Sequence, residues 1–126
     1  MPVKLALLLV ALVAAPDGGV RKGRTIDEVK LLYFHASWCQ SCKRLDAGRV
    51  IERLREREPG LVVEKVDVDT QEPLLDRYGV TVTPTLILVD ATGFPLGRPA
   101  IDLDQPDATL ERVHKLVKKM VKPKSP

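Results

Sequence analysis

Apolar residues along this chain alternate between two rhythms, continuous runs of strand length and stripes with helical spacing. Leu31-Leu32-Tyr33-Phe34-His35 is a continuous, aromatic-rich run, as expected of a strand buried on both faces with helices above and below. After Cys39 the period changes. Ala47, Val50, Ile51 and Leu54 draw one apolar stripe, backed by Arg49, Glu52, Arg53, Glu56 and Arg57, which is the pattern of an amphipathic helix. One long helix is predicted, ended by Pro59-Gly60, with Gly48 inside it at a cost of about 1 kcal/mol relative to alanine. Leu61 to Val68 reads as the second strand. Asp69-Thr70 then offers an N-cap to a short helix holding Pro73, Leu74, Leu75 and Tyr78 and stopped by Gly79.

The second half repeats the alternation. Val80 to Val89 is strand-like but contains Pro84; proline cannot donate to a ladder, so the strand begins at Thr85. Asp90-Ala91-Thr92-Gly93 is a hairpin turn into Phe94 to Arg98, and Pro95 implies an edge position there. Leu110, Val113, Val117 and Met120 mark a last helix from about Asp107 to Val121. Upstream, Thr25 with Glu28 three residues later suggests a short helical lead-in over 25–30. Strand, helix, strand, helix, hairpin, helix gives an α/β fold on a mixed sheet.

The N-terminus has a different character. Met1-Pro2-Val3-Lys4 is short and positive, Leu5 to Ala15 is unbroken apolar sequence, and Pro16-Asp17-Gly18-Gly19 ends it. That is the anatomy of a secretory signal peptide over 1–15, followed by a linker and lead-in over 16–30. The run is short for a membrane span, which needs roughly 20 residues. A single lysine and a proline after the obvious cleavage point keep two other readings open, a first buried element or an uncleaved tether. The location expected is exported, periplasmic or extracellular.

Bulk numbers narrow the class without naming it. The 126 residues suit one domain, and 44% hydrophobic with 29% charged is an ordinary globular balance. The net charge is +3, and Lys115, Lys118, Lys119, Lys122 and Lys124 account for much of it. These lysines read as a solvated helix end complementing the dipole rather than a nucleic-acid patch. No nucleic-acid partner and no oligomer are expected.

The chemistry is concentrated in Cys39-Gln40-Ser41-Cys42, directly after Trp38, which holds both cysteines of the chain. On the first turn of a helix this spacing brings two thiols within bonding reach. The helix N-terminus, with unpaired N–H groups and the positive dipole end, favours a thiolate on the first. A zinc site normally takes four protein ligands or three with an open position; beyond this pair the chain offers only His35 and His114. A buried structural pair is the other alternative. A redox-active dithiol is the reading preferred.

Trp38-Cys39-Gln40-Ser41-Cys42-Lys43 after the first core strand, Val66-Asp67-Val68-Asp69, Tyr78-Gly79-Val80 and Thr83-Pro84-Thr85-Leu86 stand in an order that resembles the thioredoxin superfamily, over about residues 30 to 120. The resemblance implies a thioredoxin-like fold over 31–122, a central mixed sheet of four or five strands flanked by helices. It also implies that Cys39 is the exposed attacking thiol and Cys42 the buried resolving one. Thr83-Pro84 matches the family's cis-proline, whose backbone docks extended substrate, and Trp38 matches its flanking tryptophan. A cis X-Pro bond costs only about 0.5–1 kcal/mol and exposes backbone for strand addition.

Departures from the family pattern matter as much. The buried acid that many thioredoxins carry six positions before the first cysteine is Tyr33 here, so the proton route to the resolving thiol is missing or replaced. Gln40-Ser41 stands between the cysteines, and Ala47 where thioredoxin has a helix proline. His35 would tune the thiolate or simply pack, while His114 has no assigned role. These features are similar to the exported thioredoxin-like group. They imply a thiol–disulfide oxidoreductase that reduces protein disulfides, is fed by a membrane electron donor, and needs no cofactor or metal. A redox-silent adaptor and a copper-delivery protein are the alternatives; the latter usually spaces its cysteines by three residues.

Overall fold

The aromatic run becomes the middle of a sheet because Leu31, Leu32, Tyr33 and Phe34 all find cover. The computed structural model describes residues 28–121. The elements run β1 (Val29–His35), α1 (Gln40–Ala47), α2 (Val50–Arg57), β2 (Val62–Asp67), α3 (Glu72–Tyr78), β3 (Thr85–Asp90), β4 (Pro95–Gly97) and α4 (Pro106–Met120). The four strands stand in the order β2-β1-β3-β4. β1 pairs parallel with β2 and antiparallel with β3, and β3 pairs antiparallel with β4. The sheet is therefore mixed, as the element order predicts, and Pro95 lies on its edge strand.

Alternation along β1 sorts side chains to two faces. Val29, Leu31 and Tyr33 share one cluster with Leu45, Val50, Ile51 and Leu54 of α1 and α2 and with Leu110, Val113 and Val117 of α4. Leu32 and Phe34 join Val66, Ile87, Val89 and Tyr78 on the other face, with Leu74 and Leu75 of α3 packed against them. Gly79 ends α3 in the left-handed region at φ 62°, a conformation that costs other residues more than glycine.

Three local expectations need correction. The long helix is two helices, α1 and α2, divided at Gly48-Arg49, where Arg49 adopts φ 56°. The approach of α4 accounts for the glycine at the break: a Cβ on Gly48 would lie 2.9 Å from Pro106 Cγ. The chain comes this close only without a side chain, and it turns there. Ala47, placed on the predicted stripe, is exposed at the end of α1. The lead-in does not extend over Val29 and Lys30, which are already part of β1, Val29 paired with β3 and Lys30 with both β2 and β3. Glu28 just before them is in a 3-10 turn, while residues 25–27, the linker and the apolar segment 1–15 lie outside the described residues. Finally, the N-cap position of α3 is Gln71 rather than Asp69 or Thr70, with no side-chain cap hydrogen bond there, and the Asp69 carboxylate instead accepts the Trp38 indole N–H.

Candidate functional site

β1 ends at His35, and Ala36-Ser37-Trp38 carries the chain off the end of the sheet into α1. Cys39 is the N-cap of that helix, with extended dihedrals (φ −84°, ψ 111°), and its Sγ accepts the backbone N–H of Cys42 at 3.0 Å. This is the position at which a side-chain acceptor satisfies one of the orphan donors of the first turn. Cys39 and Cys42 form a disulfide with Cα atoms 5.2 Å apart. Gln40 is exposed and Ser41 half-buried on the same turn.

The expected exposure of Cys39 is not found in this disulfide form. Cys39 retains 5% of its surface and Cys42 2%. The cap bond, the partner sulfur and packing with Ala36 and Val68 cover the first cysteine almost as fully as the second.

Trp38, by contrast, is 62% exposed. Its indole Nε1 donates to Asp69 Oδ2 at 2.9 Å, which fixes the ring across the loop after β2. Trp38, Val68, Leu75, Val80, Thr81, Val82 and Thr83 line one open groove of about 380 Å³. The Thr83–Pro84 peptide is cis. Pairing of Phe34 with Thr85 in the β1–β3 register brings Pro84 to the end of the sheet from which Cys39 departs. Thr85 Oγ1 closes this loop by donating to the Val82 carbonyl at 2.7 Å.

Tyr33 lies under α1 and is fully buried. Its hydroxyl donates to Asp46 Oδ1 at 3.1 Å and stands 3.4 Å from the Cys42 carbonyl. Burial, reinforced by the neighbouring Asp46 carboxylate, pushes the Tyr33 phenol well above its ordinary range. It remains a hydroxyl donor and not a base. His35 is half-buried, its ring centroid 5.4 Å from that of Tyr33. His114 sits on α4 with Nδ1 2.5 Å from Glu58 Oε2. Among the described residues no three His, Cys, Asp or Glu side chains are grouped so as to hold a metal ion, and no helix is long and apolar enough to cross a membrane.

Two residues of the site escaped the sequence reading, Asp69 and Asp46. Asp69 carried a helix-cap signal that pointed the wrong way. Asp46 had a signal that went unused: it follows Cys42 by four residues, so both lie on one face of α1.

The disulfide at the N-terminus of α1 and the cis-proline loop lie at the same end of the sheet. The thioredoxin family model matches residues 21–98. The chain belongs to the thioredoxin family. Thioredoxin-1 of Drosophila melanogaster is 36% identical over 63 residues, covering 50% of this chain and 58% of that protein. A mutant thioredoxin of Halobacterium salinarum superposes with a TM-score of 0.59 at 31% identity, covering 78% of this chain and 79% of that one. Thioredoxin from Trypanosoma brucei brucei gives 0.60 at 26% identity, over 73% and 77% of the two chains. The chain spans about half the length of the curated relatives it matches.

Proposed function

We propose that this thioredoxin-family chain is a thiol–disulfide oxidoreductase that reduces protein disulfides outside the cytoplasm. The observation that carries the reading is the Cys39 sulfur at the α1 N-terminus, accepting the Cys42 N–H. When the disulfide opens, that bond becomes charge-assisted and the dipole end faces a negative sulfur, both of which favour the thiolate that attacks. Cys39 thiolate attacks a substrate disulfide, one substrate sulfur leaves, and a mixed disulfide forms. Cys42 then attacks Cys39, releasing the second substrate sulfur and regenerating the Cys39–Cys42 bond. Two electrons pass from the dithiol to the substrate with no cofactor. The groove beside Trp38 and the backbone at Thr83-Pro84 suit an extended segment of a protein substrate.

Export rests on the signal-like segment 1–15, and it would place the electron donor in the adjoining membrane. Purified protein is tested for insulin reduction in the presence of a dithiol. Turnover that disappears in Cys39→Ser is expected, whereas an adaptor gives no turnover in either form. A Cys39–Cys42 reduction potential of about −270 mV supports a reductant, and one of about −120 mV overturns the direction. Fusion of residues 1–30 to a reporter active only after export tests the location.

A further inference from the structure

The family's buried acid beneath the dithiol is absent, and the structure puts a different pair in its neighbourhood. We propose that Asp46 is the proton acceptor for Cys42 in the resolving step and that Tyr33 is the positioning residue that holds its carboxylate against the Cys42 turn. This rests on the oxidoreductase reading above and assigns a proton route within the same site.

The geometry supports it from both directions. Asp46 is one helical turn beyond Cys42 on α1, so the two side chains share a face. From the sheet below, the Tyr33 hydroxyl reaches the Asp46 carboxylate at 3.1 Å and approaches the Cys42 carbonyl at 3.4 Å. One fixed donor therefore ties the carboxylate to the turn that bears the resolving sulfur. Cys42 needs such help, since only 2% of it is exposed and burial disfavours a thiolate. Asp46 is exposed, so a proton taken from the buried thiol passes on to solvent. Tyr33 cannot be the acceptor itself, because it is held protonated. The other charged or titratable groups around the pair are His35 on β1, Lys65 of β2, whose Nζ lies 5.7 Å from the Tyr33 ring centroid, and Glu52 of α2.

In the mixed disulfide, Cys42 gives its thiol proton to the Asp46 carboxylate and attacks Cys39 Sγ. The Cys39–Cys42 bond forms, the bond from Cys39 to the substrate sulfur breaks, and that sulfur leaves as a thiolate carrying the electron pair. Asp46 then loses the proton to water. No electrons move through Tyr33 or Asp46.

The test is a stopped-flow measurement on full-length protein reduced at both cysteines and mixed with 5,5′-dithiobis(2-nitrobenzoate). The first thionitrobenzoate released reports attack by Cys39, and the second reports resolution by Cys42. Asp46→Asn is expected to slow the second release at least about tenfold at neutral pH and to shift its pH profile upward. The first release and the pH profile of Cys39 alkylation by iodoacetamide should stay as in the wild type. Tyr33→Phe should move the second release in the same direction, and Asp46→Glu should restore it. A second release unchanged by Asp46→Asn overturns the assignment, as does an equal slowing of both releases, which marks a structural effect. If the wild type releases no thionitrobenzoate at all, the oxidoreductase reading itself fails, which is a different outcome from a wild type that turns over and an indifferent Asp46→Asn.

Discussion

Replacing Gly48 by alanine sets two effects of opposite sign against each other, and distances in the structure decide between them. Gly48 has right-handed dihedrals (φ −79°, ψ −1°), so alanine fits the backbone there. In open space the change would stabilise by about 0.4–1 kcal/mol, through the unfolded chain's lost freedom. The space is not open. The new Cβ would lie 2.9 Å from Pro106 Cγ and 3.2 Å from Pro106 Cβ. Carbon contacts are most favourable at about 3.5–4.0 Å, so the proline ring must retreat by roughly 0.6 Å. Pro106 opens α4, which is held by buried Leu110, Val113 and Val117, so the helix cannot yield freely. Overpacking of this kind costs about 1–3 kcal/mol. The clash wins, and a net loss of about 1–2 kcal/mol is expected. Urea unfolding should show a lower midpoint at unchanged slope. Pro106→Ala removes the nearest carbon, so in that background Gly48→Ala should cost less, with a coupling of about 0.5–1 kcal/mol. A Gly48→Ala protein as stable as the wild type refutes the reasoning, as does a cost that is the same in both backgrounds.

Three further outcomes are expected. Cys42→Ser should accumulate a mixed disulfide between Cys39 and a protein substrate, visible as an adduct mass that dithiothreitol removes; Cys39→Ser should accumulate none. Asp69→Ala frees the indole of Trp38, the single tryptophan, so fluorescence anisotropy should fall while stability changes by less than about 0.5 kcal/mol at this exposed site. For Tyr33 the folded-state pKa is raised above the unfolded value of about 10, by burial first and Asp46 second. Folded protein therefore holds this proton more tightly, its contribution is complete below about pH 10, and it is lost as pH rises beyond that. The unfolding midpoint should fall on the alkaline side, and Tyr33→Phe should flatten that fall; an alkaline limb identical in the two proteins would contradict it.

Signals carried by a few adjacent residues were legible in the sequence. The run Leu31 to His35, the hairpin turn after Val89, the strand beginning behind Pro84 and the stop at Gly79 follow from backbone rules that act within a few positions. What was missed depends on distant neighbours. The apolar stripe runs on through Gly48, and only Pro106, far along the chain, shows why that position has no room for a side chain. Asp69 has the chemistry of an N-cap, but α3 starts further on, with Gln71 at its N-cap position, and the Asp69 carboxylate accepts the indole N–H of Trp38. The cysteine turn was legible because spacing alone brings its sulfurs together. Its burial was not, since Val68 arrives from another connection.

Three connections meet at one end of the sheet, and they divide the work of the site. The segment after β1 supplies Cys39 and Cys42 from a single helical turn. The loop after β2 brings Val68 and Asp69, and the loop before β3 brings Val82, Thr83 and Pro84. In the proposed function, bond making depends on one local turn, while docking of a protein substrate depends on a groove assembled from all three connections. Val82 is 67% exposed beside Trp38 at 62%, two large apolar surfaces that the fold leaves uncovered at this end. Covering a valine of this kind on docking is worth about 1 kcal/mol or somewhat more. Val82→Ser should accordingly raise KM for a protein disulfide about fivefold to tenfold, at roughly 1.4 kcal/mol per decade. The rate with a small aromatic disulfide, which needs only the cysteine turn, should remain that of the wild type. Equal losses with both substrates would mean that Val82 supports the cysteine turn itself, and the division of labour between turn and groove would be wrong.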